Sequence, residues 1–409
     1  MLNRFSIPAL SVWPTALICL AILLAISGLS PLPFGYMVPL ISLSSLVALR
    51  IRTGAWPRFD WPLYAWGAAL VALCAMSTMW SVAPKESIER CLKVSALLLF
   101  SLPLIDVARL YPQATLKRFS ALIPMAVAVA GLCSLGELAF NFPLHHLFNE
   151  TPNYVTWGSL LNKNVSVFIM ALPSALLICH RSGRYSISIL LVLISVLLAV
   201  FTDSQASQMA LLVIILTWCG ALILPVAGIP VAFGLTALIL LLMPWLSPLA
   251  FDVFAANLAK KGTLASEASA SMRLENWDFI SRKIMENPWT GFGMDSTRSI
   301  NDFQSEKIYF ATSTIMHPHN IALQLWIEFG LLGVALIIGF FGFLLRRLLA
   351  LPAADRRVPF ATFCVAMTFL MISWSIWASW LLGFMVFLGA LTILALRTNN
   401  APAISSPRP

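Results

Sequence analysis

The chain has 409 residues, of which 59% are hydrophobic and only 11% are charged, and its formal net charge is +9. Soluble globular domains are about one quarter charged, so this composition excludes an ordinary soluble domain and predicts a polytopic membrane protein. The seven cysteines show no C-x-x-C spacing, which argues against a disulfide framework and against a zinc site.

About twelve apolar segments are long enough to cross a bilayer, since one crossing takes ~20 residues. Their centres fall in 14–31, 33–49, 61–79, 91–108, 119–140, 165–179, 185–201, 206–224, 229–247, 320–345, 358–374 and 379–396. The first segment lacks a small-residue cleavage site, so we interpret it as a retained span. The last two segments are nearly continuous, and we expect a tight turn near 373–380.

The basic residues indicate topology. With the N-terminus inside, fifteen of the 26 Lys and Arg residues face the cytoplasm, four lie in short outer loops and seven in one long loop. Because short cytoplasmic loops are enriched in Lys and Arg, the positive charge reflects orientation rather than nucleic-acid binding. It predicts cytoplasmic termini and a long loop on the periplasmic face.

Four parts follow from this topology. Residues 1–248 are expected to form transmembrane helices 1–9 with short loops, and residues 249–319 form a large periplasmic loop. Residues 320–396 are expected to form transmembrane helices 10–12. The Pro/Ser-rich residues 397–409 are expected to be a disordered cytoplasmic tail.

Within the long loop, residues 271–293 (SMRLENWDFISRKIMENPWTGFG) predict an amphipathic helix. An apolar stripe that includes Trp277 and Ile284 runs along it, and Pro288 ends it. We expect such a helix to lie on the membrane surface with its apolar face down. Arg273 shares a face with Trp277, four residues later, so its cation is expected near the membrane plane.

The stretch 316–333 (MHPHNIALQLWIEFGLLG) places a polar cluster at the start of the next span. An imidazole with a pKa near ~6.5 is the natural base at neutral pH. At the N-terminus of a helix, the dipole disfavours the protonated form, which suits His319 to this task. His317, before Pro318, is more typical of a structural residue.

Asn320, Gln324 and Glu328 form a neighbouring polar stripe, at i, i+4 and i+8. A carboxylate inside a span is costly in hydrocarbon, so Glu328 must face the bundle interior with a partner or be protonated. A structural anchor and a functional role both remain open for Glu328. Gly330 and Gly333 favour close helix packing in lipid.

The motif His319-Asn320, then nine residues, then Gly330-x-x-Gly333 resembles that of the bacterial O-antigen ligase family. This family belongs to a superfamily with O-antigen and exopolysaccharide polymerases. Three other stretches are similar to the family in the same order: TMWSVAPKESIER (78–90), LLNKNVSVFIMALP (160–173) and 273–293. The resemblance covers about residues 75 to 335 and implies an all-α, polytopic, GT-C-like fold.

The resemblance implies that His319 and Arg273 are the catalytic residues. His319 would act at the acceptor hydroxyl, and Arg273 would grip the donor pyrophosphate, because a planar guanidinium binds phosphate bidentately. The structural alternatives are a helix cap for His319 and a snorkelling surface cation for Arg273. Where the family has Ser-Arg, this chain has Ser204-Gln205, which puts a donor contact at Gln205 in question.

Other outer-face residues are candidates for the missing contact. Arg90, Lys93 and Lys163 each offer a cation for the donor pyrophosphate, and each is equally an interfacial anchor. Asn162 and Asn164 are candidates for orienting sugar or phosphate. Three tryptophans between 374 and 380 are expected to form an interfacial belt.

The resemblance implies transfer of a glycan from a polyprenyl (undecaprenyl) pyrophosphate donor to a hydroxyl of lipid A–core, with inversion, at the periplasmic face of the bacterial inner membrane. The sequence has no Asp-x-Asp and no Walker loop, so we expect no metal and no cofactor. Membrane lipid is an expected partner, and nucleic acid is not. A polymerase of the same superfamily, a lipid-linked glycan transporter and a scaffold subunit remain open.

Overall fold

The computed structural model describes residues 12–148, 158–202, 204–223, 227–259, 265–302 and 315–398. Over these residues the chain forms helices joined by turns, without a strand. In chain order the helices are α1 (Val12–Ile26), α2 (Phe34–Thr53), α3 (Trp61–Ser77), α4 (Pro84–Ser101), α5 (Pro103–Ala108), α6 (Gln113–Arg118), α7 (Leu122–Ala139), α8 (Pro143–Phe148), α9 (Asn162–Arg181), α10 (Tyr185–Phe201), α11 (Gln205–Ile223), α12 (Gly228–Ala259), α13 (Ala265–Ile284), α14 (Ile321–Leu349), α15 (Arg357–Ile372) and α16 (Ser379–Arg397).

Seven apolar segments in the described part of the chain are long enough to cross a membrane. They are Phe34–Thr53, Pro84–Ala108, Leu122–Ala139, Asn162–Arg181, Gly228–Phe254, Ile321–Leu349 and Ser379–Arg397. Four shorter apolar helices have 10–17 residues. The predicted class, an all-α polytopic membrane protein, is confirmed, and the number of about twelve spans stays a prediction.

The chain divides into two compact units. Unit 1 comprises Met1–Asp60, Leu97–Leu212 and Ser379–Pro409, and unit 2 comprises Trp61–Ala96 and Val213–Ala378. In unit 1, small residues let helix backbones approach closely. A Cβ on Gly28 would lie 2.3 Å from the Ala130 carbonyl oxygen, and one on Gly383 would lie 2.3 Å from the Phe34 carbonyl oxygen.

Unit 2 is built around α14, which packs against α3, α12, α13 and α15. The helix α12 accommodates Pro244 and Pro248 in its interior and continues to Ala259. It therefore extends past the predicted boundary at 248. The polar segment that follows is shorter than the sequence suggested.

The helix α13 corrects a second expectation. Its apolar face is covered by protein, since Phe279, Ile280 and Ile284 are 1%, 0% and 0% exposed, and the helix packs against α12 and α14. The prediction of a surface helix with its apolar face in the membrane is therefore wrong. An amphipathic pattern shows that one face of a helix is apolar, but it does not show whether lipid or protein covers that face.

The helix α14 is broken at Gly330, whose φ of 59° and ψ of −150° are not helical. The segment 287–295 crosses at this break. Its Pro288 carbonyl accepts from the Leu331 N–H at 2.8 Å, while its Phe292 N–H donates to the Ile327 carbonyl at 2.8 Å. These bonds use backbone groups that the break releases from the helix.

The expectation that Gly330 and Gly333 serve close helix–helix packing in lipid is wrong. A Cβ on Gly330 would lie 2.4 Å from the Trp289 carbonyl carbon, so this glycine makes room for loop backbone. A Cβ on Gly333 would lie 2.6 Å from the Phe329 Cβ, within α14 itself. Gly330 therefore serves the break in α14, and the close contact at Gly333 lies within the helix.

We expect Gly330→Ala to destabilise the protein strongly. The backbone conformation is one that only glycine adopts readily and costs about 1–3 kcal/mol for another residue, and the added methyl group overpacks the contact by about 1–3 kcal/mol more. The measurement is thermal unfolding in detergent. Gly342→Ala is the matched control in α14, since a Cβ there meets nothing within 4 Å, and it should stabilise slightly. An unchanged unfolding temperature for Gly330→Ala would contradict the assigned role.

Candidate active site

At the N-terminus of α14 the residue that caps the helix is Asn320 and not His319. The Asn320 side chain accepts a hydrogen bond from the Leu323 N–H at 3.1 Å, as an N-cap asparagine does. His319 precedes it with a φ of +55°, a left-handed conformation that is rare outside glycine and frequent at functional sites. The Trp277 indole N–H donates to the Pro318 carbonyl at 2.8 Å and ties this turn to α13.

One hydrogen bond fixes the orientation and the tautomer of His319. Its Nδ1 bonds the carbonyl oxygen of Ser373. Because a carbonyl oxygen only accepts, Nδ1 carries the hydrogen. In the neutral ring, Nε2 then holds the lone pair, which is the atom that a general base uses.

The electrostatic surroundings keep His319 neutral. Burial lowers the pKa of His319, the bond to Ser373 raises it, and the positive charge of Arg273 lowers it further. The net direction is downward from 6.5. At pH 7 the ring is therefore a neutral proton acceptor.

His317 lies against His319, with ring centroids 4.0 Å apart and the ring planes tilted by 42°. Burial, His319 and Arg298, in that order, lower the pKa of His317 to about 4. Its buried Nε2 has no hydrogen-bond partner in the described part of the chain. His317 is thus a second neutral imidazole beside His319.

Arg273 lies in α13, one turn before Trp277, whose indole N–H bonds the carbonyl of Pro318 next to His319. The positive charge of Arg273 lowers the pKa of His319. Burial lowers the pKa of the Arg273 guanidinium. Among the described residues, no carboxylate forms an ion pair with it. A half-buried, uncompensated guanidinium beside a neutral imidazole favours binding of an anion.

Asp295 organises two further arginines and was missed by sequence reasoning. Its carboxylate accepts from Arg90 Nε at 2.8 Å and from Arg298 at 3.1 Å. It has a φ of +54° and is 6% exposed. A cavity of about 240 Å³ adjoins it, lined by Glu86, Glu89, Arg90, Lys93, Asp295 and Arg298.

Glu328 is buried and its carboxylate accepts three hydrogen bonds. Its carboxylate accepts from the Asp295 backbone N–H at 2.9 Å, from Gln324 Nε2 at 3.0 Å and from the Trp377 indole N–H. The expectation that Glu328 has partners in the protein interior is met. Trp377 is 2% exposed, so its assignment to an interfacial belt is wrong.

The segment 78–90 docks on the segment 287–295. The Trp80 indole N–H donates to the Thr290 carbonyl at 3.1 Å, the Val82 N–H to the Phe292 carbonyl at 3.0 Å, and the Ser87 hydroxyl to the Met294 carbonyl. Stretches that are distant in the chain therefore meet around the start of α14. They include the segments 78–90 and 273–293 and the His319 motif.

Part of the chain is similar to a known protein family. A family model described as O-antigen ligase matches residues 190–338, a range that contains α13, Asp295 and the broken first half of α14. Over this range the chain is similar to the O-antigen ligase family. Within the family match lie Arg273, His319, Glu328 and Gly330.

Related proteins point the same way. A Rickettsia conorii protein with the provisional name of polysaccharide ligase is 26% identical over 78% of this chain and 77% of its own length. A Rickettsia felis protein of the same provisional name is 24% identical over 76% and 74%. A third, from Rickettsia typhi, is 32% identical over 30% and 32%. No solved structure matches the chain.

Four of the predicted site residues belong to unit 1. Asn164 is 5% exposed, and its amide donates to the Gly28 carbonyl at 2.7 Å, so the expectation that it orients sugar or phosphate is wrong and it ties α9 to the end of α1. Asn162 and Lys163 lie in the first turn of α9. Gln205 is exposed at the start of α11.

Proposed function

We propose that this protein, like the O-antigen ligases to which residues 190–338 are similar, transfers a glycan from a polyprenyl pyrophosphate to an acceptor hydroxyl at the periplasmic face of the inner membrane. The observation that carries the proposal is the junction at the start of α14. There His319 presents the Nε2 lone pair beside the guanidinium of Arg273. A base next to an anion-binding cation is what displacement of a pyrophosphate by an alcohol requires.

The step balances with these two side chains. The acceptor oxygen forms a bond to the anomeric carbon while the bond from that carbon to the pyrophosphate oxygen breaks. The hydroxyl proton passes to Nε2 of His319, and the negative charge of the departing polyprenyl pyrophosphate rests against Arg273. One direct displacement of this kind inverts the anomeric configuration.

Further cations are available for the pyrophosphate charge. Among the described residues, Arg90 donates to Asp295 and to the Trp377 carbonyl and Arg298 donates to Asp295, which leaves other N–H groups of both guanidinium groups for a ligand, and Lys93 lines the same cavity. Lys93 lies 3.9 Å from Glu89 with both side chains largely exposed, a weak pair that a ligand displaces easily. We assign to this group the charge that Gln205 does not provide. The residues proposed for the donor are therefore Arg273, Arg90, Arg298 and Lys93.

Unpartnered polar atoms support the assignment of a substrate site. Buried atoms without a hydrogen-bond partner among the described residues include Asn276 Oδ1, Ser296 Oγ, Thr297 Oγ1 and His317 Nε2. They belong to α13, to the segment around Asp295 and to the turn before α14. Buried polar groups are nearly always paired, so sugar hydroxyls and phosphate are suitable partners.

The proposed acceptor is lipid A–core, and an in vitro assay tests it. Purified protein in vesicles receives a polyprenyl pyrophosphate glycan and lipid A–core, and the products are separated by mass. Glycan attached to core is the expected product, and its yield should be the same with and without a chelator. Lengthened donor chains without glycosylated core would instead identify a polymerase, and movement of unaltered donor across the vesicle would identify a transporter.

A further inference from the structure

The turn 373–378, between α15 and α16, is held from one side by α14. Gln324 Nε2 donates to Ser375 Oγ at 3.0 Å, and the Ile376 N–H donates to Gln324 Oε1 at 3.1 Å. The Trp377 indole N–H donates to Glu328. Three successive residues of the turn are therefore bonded to two side chains, one helical turn apart.

This turn also carries the carbonyl that orients the histidine. Ser373, whose oxygen accepts from Nδ1 of His319, lies two residues before Ser375. The position of that oxygen depends on how the turn is held. Groups that orient a ring nitrogen in this way determine its tautomer.

We propose that Gln324 and Glu328 are positioning residues that hold the turn 373–378 and thereby keep His319 in the tautomer that presents Nε2. The tautomer can be measured without any substrate. The tautomer of His319 does not depend on the proposed function, whereas the expected effect of these variants on glycan transfer does.

The donors and acceptors around Glu328 fix the orientation of the Gln324 amide. Glu328 accepts from all three of its partners: Asp295, Gln324 and Trp377. The amide of Gln324 therefore turns Nε2 toward Glu328 and Ser375, which leaves Oε1 for the Ile376 N–H. No other orientation of this amide satisfies the three contacts.

Replacing either Glu328 by Gln or Gln324 by Glu disrupts these hydrogen bonds. Glu328→Gln keeps one oxygen for Asp295 and Trp377 but turns an amide N–H₂ toward Nε2 of Gln324, so two donors face each other. Gln324→Glu sets two carboxylates against each other. Either change favours release of the turn, because a buried polar group without a partner is costly.

The double exchange Gln324→Glu with Glu328→Gln restores every bond. The amide at position 328 donates to the carboxylate at position 324 and accepts from Asp295 and Trp377. The carboxylate at position 324 accepts from the Ser375 hydroxyl and from the Ile376 N–H. Composition and net charge are those of the wild type, so the double variant is a matched control.

The experiment uses ¹⁵N-histidine-labelled full-length protein in detergent, with the His319 signals assigned by their loss in His319→Ala. We expect the Nδ1–H tautomer in the wild type, its loss in Glu328→Gln and its return in the double exchange. An unchanged tautomer in Glu328→Gln, or a folded double variant that does not regain it, would overturn the proposal. If Glu328→Gln does not fold, Ser375→Ala replaces it and should weaken the Nδ1–H signal; an unaltered signal overturns the proposal.

Transfer kinetics provide a second readout. We expect kcat of Glu328→Gln to fall about 10–100-fold, the usual loss when a supporting hydrogen bond is removed, with KM for the donor unchanged. Since the bond to Ser373 raises the pKa of His319, its loss should move the acid limb of the pH profile to lower pH. The charged and titratable groups that act on the imidazole pair, Arg273, His317 and Arg298, are the same in every variant.

The experiments distinguish a failure of the positioning role from a failure of the proposed function. A lost tautomer in Glu328→Gln together with full transfer by His319→Ala would refute the proposed function and leave the positioning role intact. An unchanged tautomer together with inactive His319→Ala would refute the positioning role alone.

Discussion

We expect His319→Ala to reduce glycan transfer by about 10²–10⁴-fold, the range that a positioned acid–base group contributes. Nε2 is the atom that accepts the hydroxyl proton in the proposed step, and alanine offers no replacement. Helix α14 should remain folded, because the cap belongs to Asn320. The measurement is the initial rate of transfer by purified protein in vesicles.

A second variant, His319→Asn, separates the loss of the base from the backbone strain that alanine introduces at position 319. His319 has a φ of +55°, a conformation that asparagine tolerates better than most residues. His319→Asn should therefore fold as well as the wild type and still lack a base. His180→Ala, at an exposed position at the end of α9, is the histidine control. Near-normal transfer by folded His319→Asn would refute the assignment of the base.

Arg273→Lys should lower transfer on the order of 10²-fold, as expected when one preorganised donor to a developing charge is lost. Lysine keeps the charge but loses the planar fork that binds two phosphate oxygens at once. Arg273→Gln removes the charge as well, so a larger loss is expected. Both variants are measured in the same vesicle assay.

Arg282→Lys is the matched control on the same helix. Its side chain is 54% exposed and pairs with the buried Asp278, and lysine at this position keeps the charge of that pair. We expect its transfer rate to equal that of the wild type. If Arg273→Lys were equally active, Arg273 would be an interfacial cation and not a ligand of the donor.

Local patterns predicted the elements of the site. The polar cluster before a long apolar run correctly located the start of α14, and the cost of a carboxylate in a span correctly required partners for Glu328. The excess of apolar residues gave the membrane class. The first two of these inferences depend on residues within about two helical turns, and the third depends on the composition of the whole chain.

The contacts between distant segments could not be derived in this way. Asp295 bonds Arg90 across 205 positions of the chain, and Ser373 orients His319 across 54. No local periodicity encodes which turn meets which helix. Asn164 illustrates the opposite error, because its polar side chain near an expected outer loop serves the Gly28 carbonyl.

The central claim is that the Arg273 guanidinium lies beside the His319 imidazole. Titration of the His319 ring by NMR, in wild type and in Arg273→Gln, tests it most directly. Because the charge of Arg273 lowers the pKa of His319, the account predicts a wild-type pKa below 6.5 and a higher value once that charge is removed. An identical pKa in the two proteins would place the guanidinium away from the imidazole and contradict the account.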